Sequence, residues 1–474
     1  MRSLPFRRRV APVLAAAVIS AAAAPLSGCA GDDAPPDDRP SLILISIDTL
    51  NARALRAFSD SAPAHARLDS LAAVSVRFQE AVAPSSWTLP SHASLLTGLY
   101  PDRHGATDPH RRIAEEARTA AELLRAAGYE TVGFTDAGYV SHHFGFARGF
   151  RVYNDQTDGG SVRGVPRNGR PAEVRGAELF DRAAAWLGRR DADAGPLFLF
   201  VQTYSVHDYF KVHPWAVEAL PPFPDPDPER YLDCLLGNST PPPEVWDRLR
   251  ALYAAEVAHL DTGLARLFDA LRDAGVSDRA YVAFVSDHGE GFSPELGRIH
   301  HGGRLERDLL HVPLMLSGPE LPPRDISTPV SLVDVLPTLL ALVGVPSPDG
   351  LDGRSLAPVA RGSVQEPEPE PIFAMEHHHK WLNGRRLASN EPLEAPAAVG
   401  VIESSRWLLL DEEGERAYDV AADPEQREPL PESTPGLAEL RERIGQRSHE
   451  LPSMVEAPVD SALLKQLESL GYVN

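Results

Sequence analysis

The segment Ser41-Leu-Ile-Leu-Ile-Ser-Ile47 constrains the fold of this chain more than any other stretch. It is a nearly unbroken apolar run without polar alternation, the pattern of a strand covered on both faces. Such a strand needs neighbours on both edges and helices above and below. Comparable runs recur at Thr131–Thr135, Leu197–Val201, Tyr281–Ser286 and Val312–Ser317. Between them lie stretches with helical apolar spacing: Ala117–Ala127 stopped by Gly128, Val174–Leu187, and Pro243–Ala274 ending near Gly275. Strands alternating with helices predict an α/β fold, a mostly parallel sheet sandwiched by helices.

The amino terminus reads as a targeting segment. Arg2, Arg7, Arg8 and Arg9 precede the apolar stretch Val10–Ala24, and Leu26-Ser27-Gly28-Cys29 follows. The stretch is short for a spanning helix. It resembles a bacterial lipoprotein signal over residues 1–29, which implies that Cys29 becomes a lipidated first residue. A plain secretory signal with an incidental cysteine is the alternative. The Asp- and Pro-rich residues 30–40 read as a tether. The expected location is the bacterial cell envelope, periplasmic or on the outer surface, with a lipid anchor as the only membrane attachment. With Cys29 acylated, Cys234 has no disulfide partner.

Residues 41–366 are expected to form the catalytic α/β domain, with the Pro-rich loops Pro166–Pro171 and Pro221–Pro243 as walls over a site. A Glu-Pro run at 367–371 marks a boundary. Beyond it, Ala397–Leu410 and Arg416–Val420 read as strands and Pro435–Glu450 as a helix, so 367–474 is expected to be a small α+β subdomain. Acidic residues outnumber basic ones, 67 to 46, for a formal charge of −21. That excludes nucleic acid or an anionic membrane surface as the main partner. A small anionic substrate remains compatible, because a bound cation inverts the field locally.

Polar residues of interest stand where apolar runs stop. Asp48 follows the first strand, and Asp287 and His288 follow Phe284-Val-Ser286, in Asp287-His-Gly-Glu290. Ligands of open α/β sheets bind beyond the carboxyl ends of strands. Two carboxylates and an imidazole converging there would suit one divalent cation, Ca, Mn or Zn; either Asp alone would equally serve as a helix cap. In Ser85-Ser-Trp-Thr88-Leu-Pro90-Ser91-His92-Ala-Ser-Leu-Leu-Thr97-Gly98, Pro90 and Ser91 look like a first helical turn and Gly98 like its stop. Thr88 is then expected just before the helix, where the macrodipole favours an anion. Its hydroxyl is a candidate nucleophile, or only a cap.

From Thr88 to Gly98 the segment resembles, without gaps, the sulfatase signature Cys/Ser-x-Pro-Ser-Arg followed by Leu-Thr-Gly. Asp287-His288-Gly-Glu, His301-Gly302, Leu310-His-Val-Pro-Leu-Met315, Ser331–Leu340 with Asp352-Gly-Arg-Ser-Leu356, and Ala417-Tyr-Asp-Val-Ala-Ala-Asp-Pro-Glu425 are family-like too. The resemblance covers nearly all of the mature chain. It implies an alkaline-phosphatase-like fold and one divalent metal ion held by Asp48, Thr88, Asp287 and His288. Thr49 replaces a second Asp common in sulfatases, as in phosphonate monoester hydrolases and lipoteichoic-acid synthases. His207 and His301 match histidines that contact the ester or its leaving group. Two-metal members carry Asp four residues before the matching His; here that position is Thr203, hence the expectation of a single metal.

Two departures bear on the chemistry. Thr88 occupies the position oxidised to formylglycine in sulfatases, and threonine cannot yield that aldehyde, so no formylglycine is expected. His92 replaces the supporting Arg beside Ser91. The balance shifts towards phosphate or phosphonate (di)esters; sulfuric ester hydrolysis and phospho-group transfer are the alternatives within this class. A non-catalytic glycan-binding surface lipoprotein is the alternative outside it. The expected substrate is a small, glycan-linked or lipid-linked anionic ester. Lys211 and His377, His378 and His379 are further candidates for the site. Nothing in the sequence fixes the oligomeric state.

Overall fold

The computed structural model describes residues 38–155, 177–191, 194–211, 213–220, 242–294, 298–377 and 396–447, with single positions from 452 to 467. Its main sheet has eight strands: β1 (Ser41–Ile47), β2 (Val76–Phe78), β3 (Glu130–Thr135), β4 (Val152–Asn154), β5 (Leu197–Thr203), β6 (Ala280–Ser286), β7 (Leu314–Ser317) and β8 (Arg324–Ile326), in the spatial order β8-β2-β7-β6-β1-β5-β3-β4. β1 sits centrally and pairs in parallel with β5 on one side and β6 on the other. Its side chains alternate between two cores. Leu42 and Leu44 join one cluster, while Ile43, Ile45 and Ile47 join the other. Both faces are therefore buried, which is why the run carries no polar alternation.

Helices fill both layers. α1 (Thr88–Thr97), α2 (Ala120–Ala126) and α5 (Val335–Leu342) contribute to the first core; α3 (Ala177–Leu187) and the long α4 (Pro243–Asp273) contribute to the second. α2 starts three residues later than expected. Its N-cap is Thr119, whose hydroxyl accepts from the Glu122 amide while the Glu122 carboxylate accepts from the Thr119 amide. That capping box satisfies two orphan donors and sets the boundary.

The sheet departs from expectation at β7, which runs antiparallel to both β6 and β2. The chain leaves β6 at its carboxyl end, where Asp287 and His288 stand, and re-enters the sheet from the same side. Without a crossover helix it must run backwards. Leu314 and Leu316 face one core and Met315 the other, so the run is buried on both faces and reads alike in either direction. The expected single strand Val312–Ser317 is also split at Pro313. His311–Val312 pairs instead with Ala81–Val82 in a separate small sheet.

The carboxy-terminal subdomain is a four-stranded antiparallel sheet, β9 (Ile372–Glu376), β10 (Ala398–Glu403), β11 (Arg406–Asp411) and β12 (Gly414–Asp419), covered by α6 (Leu437–Gln446). Leu437, Leu440 and Ile444 of α6 pack on Val399, Val401, Leu408 and Ala417. The expected continuous strand 397–410 is a hairpin, turning at Ser404 with φ of 56°. Among the described residues no helix is long and apolar enough to cross a membrane. Cys29, Cys234, His378, His379 and most of both Pro-rich loops lie outside the described residues.

Candidate metal centre and active site

Asp48 is the first residue past β1, and Asp287 and His288 are the first past β6. Because β1 and β6 pair in register, these residues emerge side by side and fully buried. Ligand atoms of Asp48, Asp287 and His288 all lie within 4.8 Å of one another. His288 Nε2 is 3.3 Å from Asp287 Oδ2 and 3.9 Å from Asp48 Oδ1. Its Nδ1 donates to the Gly289 carbonyl at 2.9 Å, which fixes the tautomer and turns the Nε2 lone pair towards the carboxylates. Gly289 is required there: a Cβ would come within 2.2 Å of the Asp308 carbonyl oxygen.

Thr88 completes the group. Its Oγ1 lies 3.4 Å from His288 Nε2. The structure corrects its local setting, since α1 begins at Thr88 itself with Trp87 as N-cap, two residues earlier than Pro90 suggests. Pro90 becomes the third residue of the first turn, where its missing amide costs no helical hydrogen bond. Thr88 thus sits in the first turn, at the positive end of the helix dipole. Gly98, at φ of 67°, ends the helix as read from the sequence.

Residues beside Thr88 tie the helix to the strand ends. Ser91 Oγ donates to the Asp287 carbonyl at 2.6 Å. His92 Nδ1 lies 3.0 Å from the Thr88 carbonyl oxygen and 3.1 Å from Asp287 Oδ2. Both are acceptors, so Nδ1 carries the proton. Nε2 then faces Ser46 Oγ of β1 at 2.9 Å. His92 joins Thr88, the helix and Asp287 in one contact set, an arrangement its place in the sequence left open.

The two carboxylates differ electrostatically. Burial pushes Asp287 upward, but His288 and His92 outweigh it and hold the carboxyl at about 2. The Asp48 carboxyl is driven well above the usual range by burial and then by Asp287. Neither Asp48 oxygen has a hydrogen-bond partner. An uncompensated buried carboxylate costs several kcal/mol. These two carboxylates, an inward imidazole whose pKa burial lowers and an adjacent hydroxyl fit a divalent cation.

His207, in the turn after β5, lies with its ring 5.1 Å from that of His301, and His301 lies 4.5 Å from His288. Burial lowers the pKa of both. Sequence reasoning passed over Glu290 and His300 as site residues, although Glu290 stands in the Asp-His-Gly-Glu motif and His300 precedes His301. Gly291 pairs with His300 across a short hairpin, and that pairing brings the three together. It also passed over Glu376 at the end of β9, which accepts from Ser86 Oγ at 2.9 Å, two residues before Thr88. His377 follows it and is buried. Lys211 ends the same turn as His207.

Other family-like stretches prove structural. The Asp352 and Gly353 amides donate to the Gly98 carbonyl, which docks that loop on the end of α1. Glu425 pairs with Arg53, and Gln426 Oε1 accepts from the Arg307 amide, so the carboxy-terminal motif clamps the subdomain to the main sheet.

The sulfatase family model matches residues 40–345, well over half of the chain. The choline-sulfatase of Rhizobium meliloti (strain 1021) is 28% identical over 442 residues, covering 81% of each chain. The human N-sulphoglucosamine sulphohydrolase is 30% identical over 357 residues, 68% of this chain and 66% of the relative. In fold, the chain is similar to the phosphonate monoester hydrolase of Agrobacterium radiobacter, with a TM-score of 0.66 at 20% identity over 86% of this chain and 94% of that one. With its strand-end site and a family match spanning the main sheet, this chain belongs to the sulfatase family and is a hydrolase acting on ester bonds.

Proposed function

We propose that this protein is a metal-dependent hydrolase of phosphate or phosphonate (di)esters that uses Thr88 as its nucleophile. The observation that carries this reading is the setting of Thr88 Oγ1, in the first turn of α1 and 3.4 Å from His288 Nε2, beside Asp48 and Asp287. A divalent cation bound by these residues supplies Lewis-acid polarisation and favours the ionised hydroxyl. Thr88 Oγ1 attacks the central phosphorus in line. The bond to the leaving oxygen breaks, and the proton released by the Thr88 hydroxyl passes through His207 or His301 to that oxygen, a contribution of about 10²–10⁴-fold. Water then attacks the same phosphorus, the bond to Oγ1 breaks, and the Thr88 hydroxyl is restored. His92 holds the Thr88 carbonyl and Asp287 in place throughout.

Threonine decides the ordering of substrates. A formylglycine hydrate expels sulfate by breaking its own C–O bond, and threonine has no hydrate to do so. Its ester must be cleared at the central atom, the usual course for phosphorus. The names of the choline-sulfatase and the N-sulphoglucosamine sulphohydrolase favour a second reading, sulfuric ester hydrolysis at the same site. Transfer to an acceptor alcohol would follow the same first step. Membership of a hydrolase family argues against the non-catalytic glycan-binding alternative. The proposed substrate is an anionic ester, small or linked to a glycan or lipid. The proposed site of action is the bacterial cell envelope, with Cys29 as the acylated anchor; labelling with a radioactive fatty acid that Cys29→Ala abolishes would support this. A panel of aryl sulfate, phosphate monoester, phosphodiester and phosphonate, each with Ca, Mn and Zn, tests the function. Faster turnover of the phosphodiester or phosphonate is expected. A clear preference for the sulfate would overturn the ordering.

A further inference from the structure

Among the described residues, two groups of side chains bring three metal-ligating atoms within 4.8 Å of one another. One is the Asp48–Asp287–His288 group. The other is Glu290, His300 and His301. We infer that Glu290, His300 and His301 form a second cation site, of the zinc type, adjoining the first.

Its geometry stands apart from the role of Thr88. Glu290 Oε1 accepts from the Gly291 amide at 3.1 Å, which leaves Oε2 turned to the imidazoles. His301 Nδ1 lies 3.3 Å and His300 Nδ1 3.7 Å from that one oxygen. A charge-assisted N–H···O bond is shorter, about 2.7–2.9 Å. Ligands held about 2.0–2.1 Å from a tetrahedral ion stand roughly 3.3–3.4 Å from each other. The observed spacing matches the second geometry better than the first. A carboxylate that merely orients one histidine needs one imidazole; here two rings, 3.9 Å apart, share it. A third ring, His207, reaches the same place from the end of β5, 5.1 Å from His301 and 5.9 Å from His300. Glu290 and His301 are buried.

The donor set names the occupant. Two imidazoles and one carboxylate suit zinc or a similar borderline cation, not calcium, which takes oxygen ligands. The first group, with two carboxylates, a hydroxyl and one imidazole, is richer in oxygen. The His288 and His301 rings, 4.5 Å apart, set the two groups side by side. With His301 engaged as a ligand, leaving-group protonation falls to His207.

The test uses full-length protein stripped by chelator, loaded with Zn²⁺, desalted and analysed by mass spectrometry for bound metal. Wild type is expected to retain about two equivalents, and E290Q, H301A and D48N about one each, with circular dichroism confirming the fold. Loading with Mn²⁺ supplies a second readout: an exchange-coupled electron paramagnetic resonance spectrum in wild type and an uncoupled one in E290Q. One equivalent in wild type that D48N abolishes would overturn the second site and leave the Thr88 centre standing. One equivalent that E290Q abolishes and D48N keeps would support the second site and count against the Thr88 centre. Two equivalents retained by both E290Q and H301A would overturn the proposal.

Discussion

The carboxyl ends of β1 and β6 are neighbours in the sheet, and each delivers one buried aspartate to the same space. Their surroundings are opposite. Asp287 has His92 at 3.1 Å, His288 at 3.3 Å and the Thr49 amide at 3.3 Å. Asp48 has only His288 among these, farther off at 3.9 Å. One carboxyl is held low and the other high, although burial acts on both. Position in the fold does not set the state of an ionisable group; its partners do. The polypeptide sets closer donors around Asp287 than around Asp48, so Asp48 is the carboxyl expected to depend more on a bound cation.

That contrast predicts a split between activity and stability. Asp48→Asn and Asp287→Asn should both lower kcat/KM by at least about 10³-fold, because each removes a ligand beside the nucleophile. Their metal-free forms should differ. D287N removes the carboxylate that faces the His92 Nδ1–H and the Thr49 amide and should lose about 1–3 kcal/mol in urea unfolding. D48N removes an uncompensated buried carboxylate and should unfold no earlier than the metal-free wild type. Equal destabilisation of both would break the comparison.

Chelation sharpens it further. Removing metal should lower the melting stability of the wild type by about 2.7 kcal/mol relative to protein held at a hundredfold excess over Kd. Melting of D48N under identical conditions should move less. An equal response in D48N would show that the cation's stabilisation does not run through Asp48.

His92 reports on the other strand end. His92→Asn, which keeps a polar side chain of smaller size, should weaken metal affinity by about 10–100-fold and lower kcat by a similar factor. Ser46→Ala removes only the contact behind the ring and should lower kcat less than His92→Asn does. A Ser46→Ala loss equal to that of His92→Asn would place the main effect on the strand and not on Asp287.

The smallest effect is a pH dependence. Burial holds His288, His207 and His301 below their ordinary value, so the folded state disfavours their protonation. The unfolded chain binds more protons near pH 6.5, and stability falls as pH drops through that value. Between pH 7 and 6 each histidine should lower the stability of the metal-free protein by at most about 0.7 kcal/mol, while the raised Asp48, Asp308 and Asp334 carboxyls act in the opposite sense. An imidazole NMR titration of the metal-free protein reads the histidines directly, and rings that titrate at or above about 6.5 would contradict the lowered assignment.

Much of this was legible before the structure. A strand buried on both faces announces itself, and its first polar residue marks the site; Asp48, Asp287 and His288 follow from that rule. The direction of β7 does not, because a run buried on both faces reads alike forwards and backwards. The start of α1 was misread by two residues because Pro90 looks like a first residue yet is tolerated anywhere in the first turn. β9 was missed: it is five residues long and follows a Glu-Pro run. Contacts across long separations were invisible. Ser46 sits inside an apolar strand, and nothing nearby signals its contact with His92. Glu290 and His300 meet through the register of a three-residue hairpin, which motif spacing does not encode.

The central claim is that Thr88 carries the covalent step. Metal-loaded protein mixed with a turned-over phosphodiester or phosphonate, quenched in acid within one turnover and digested, gives the peptide containing Thr88 for mass spectrometry. The account predicts a phosphoryl or phosphonyl group on Thr88, absent from Thr88→Ala, which should also be inactive. Turnover by Thr88→Ala at the wild-type rate, with no adduct in either protein, would contradict it.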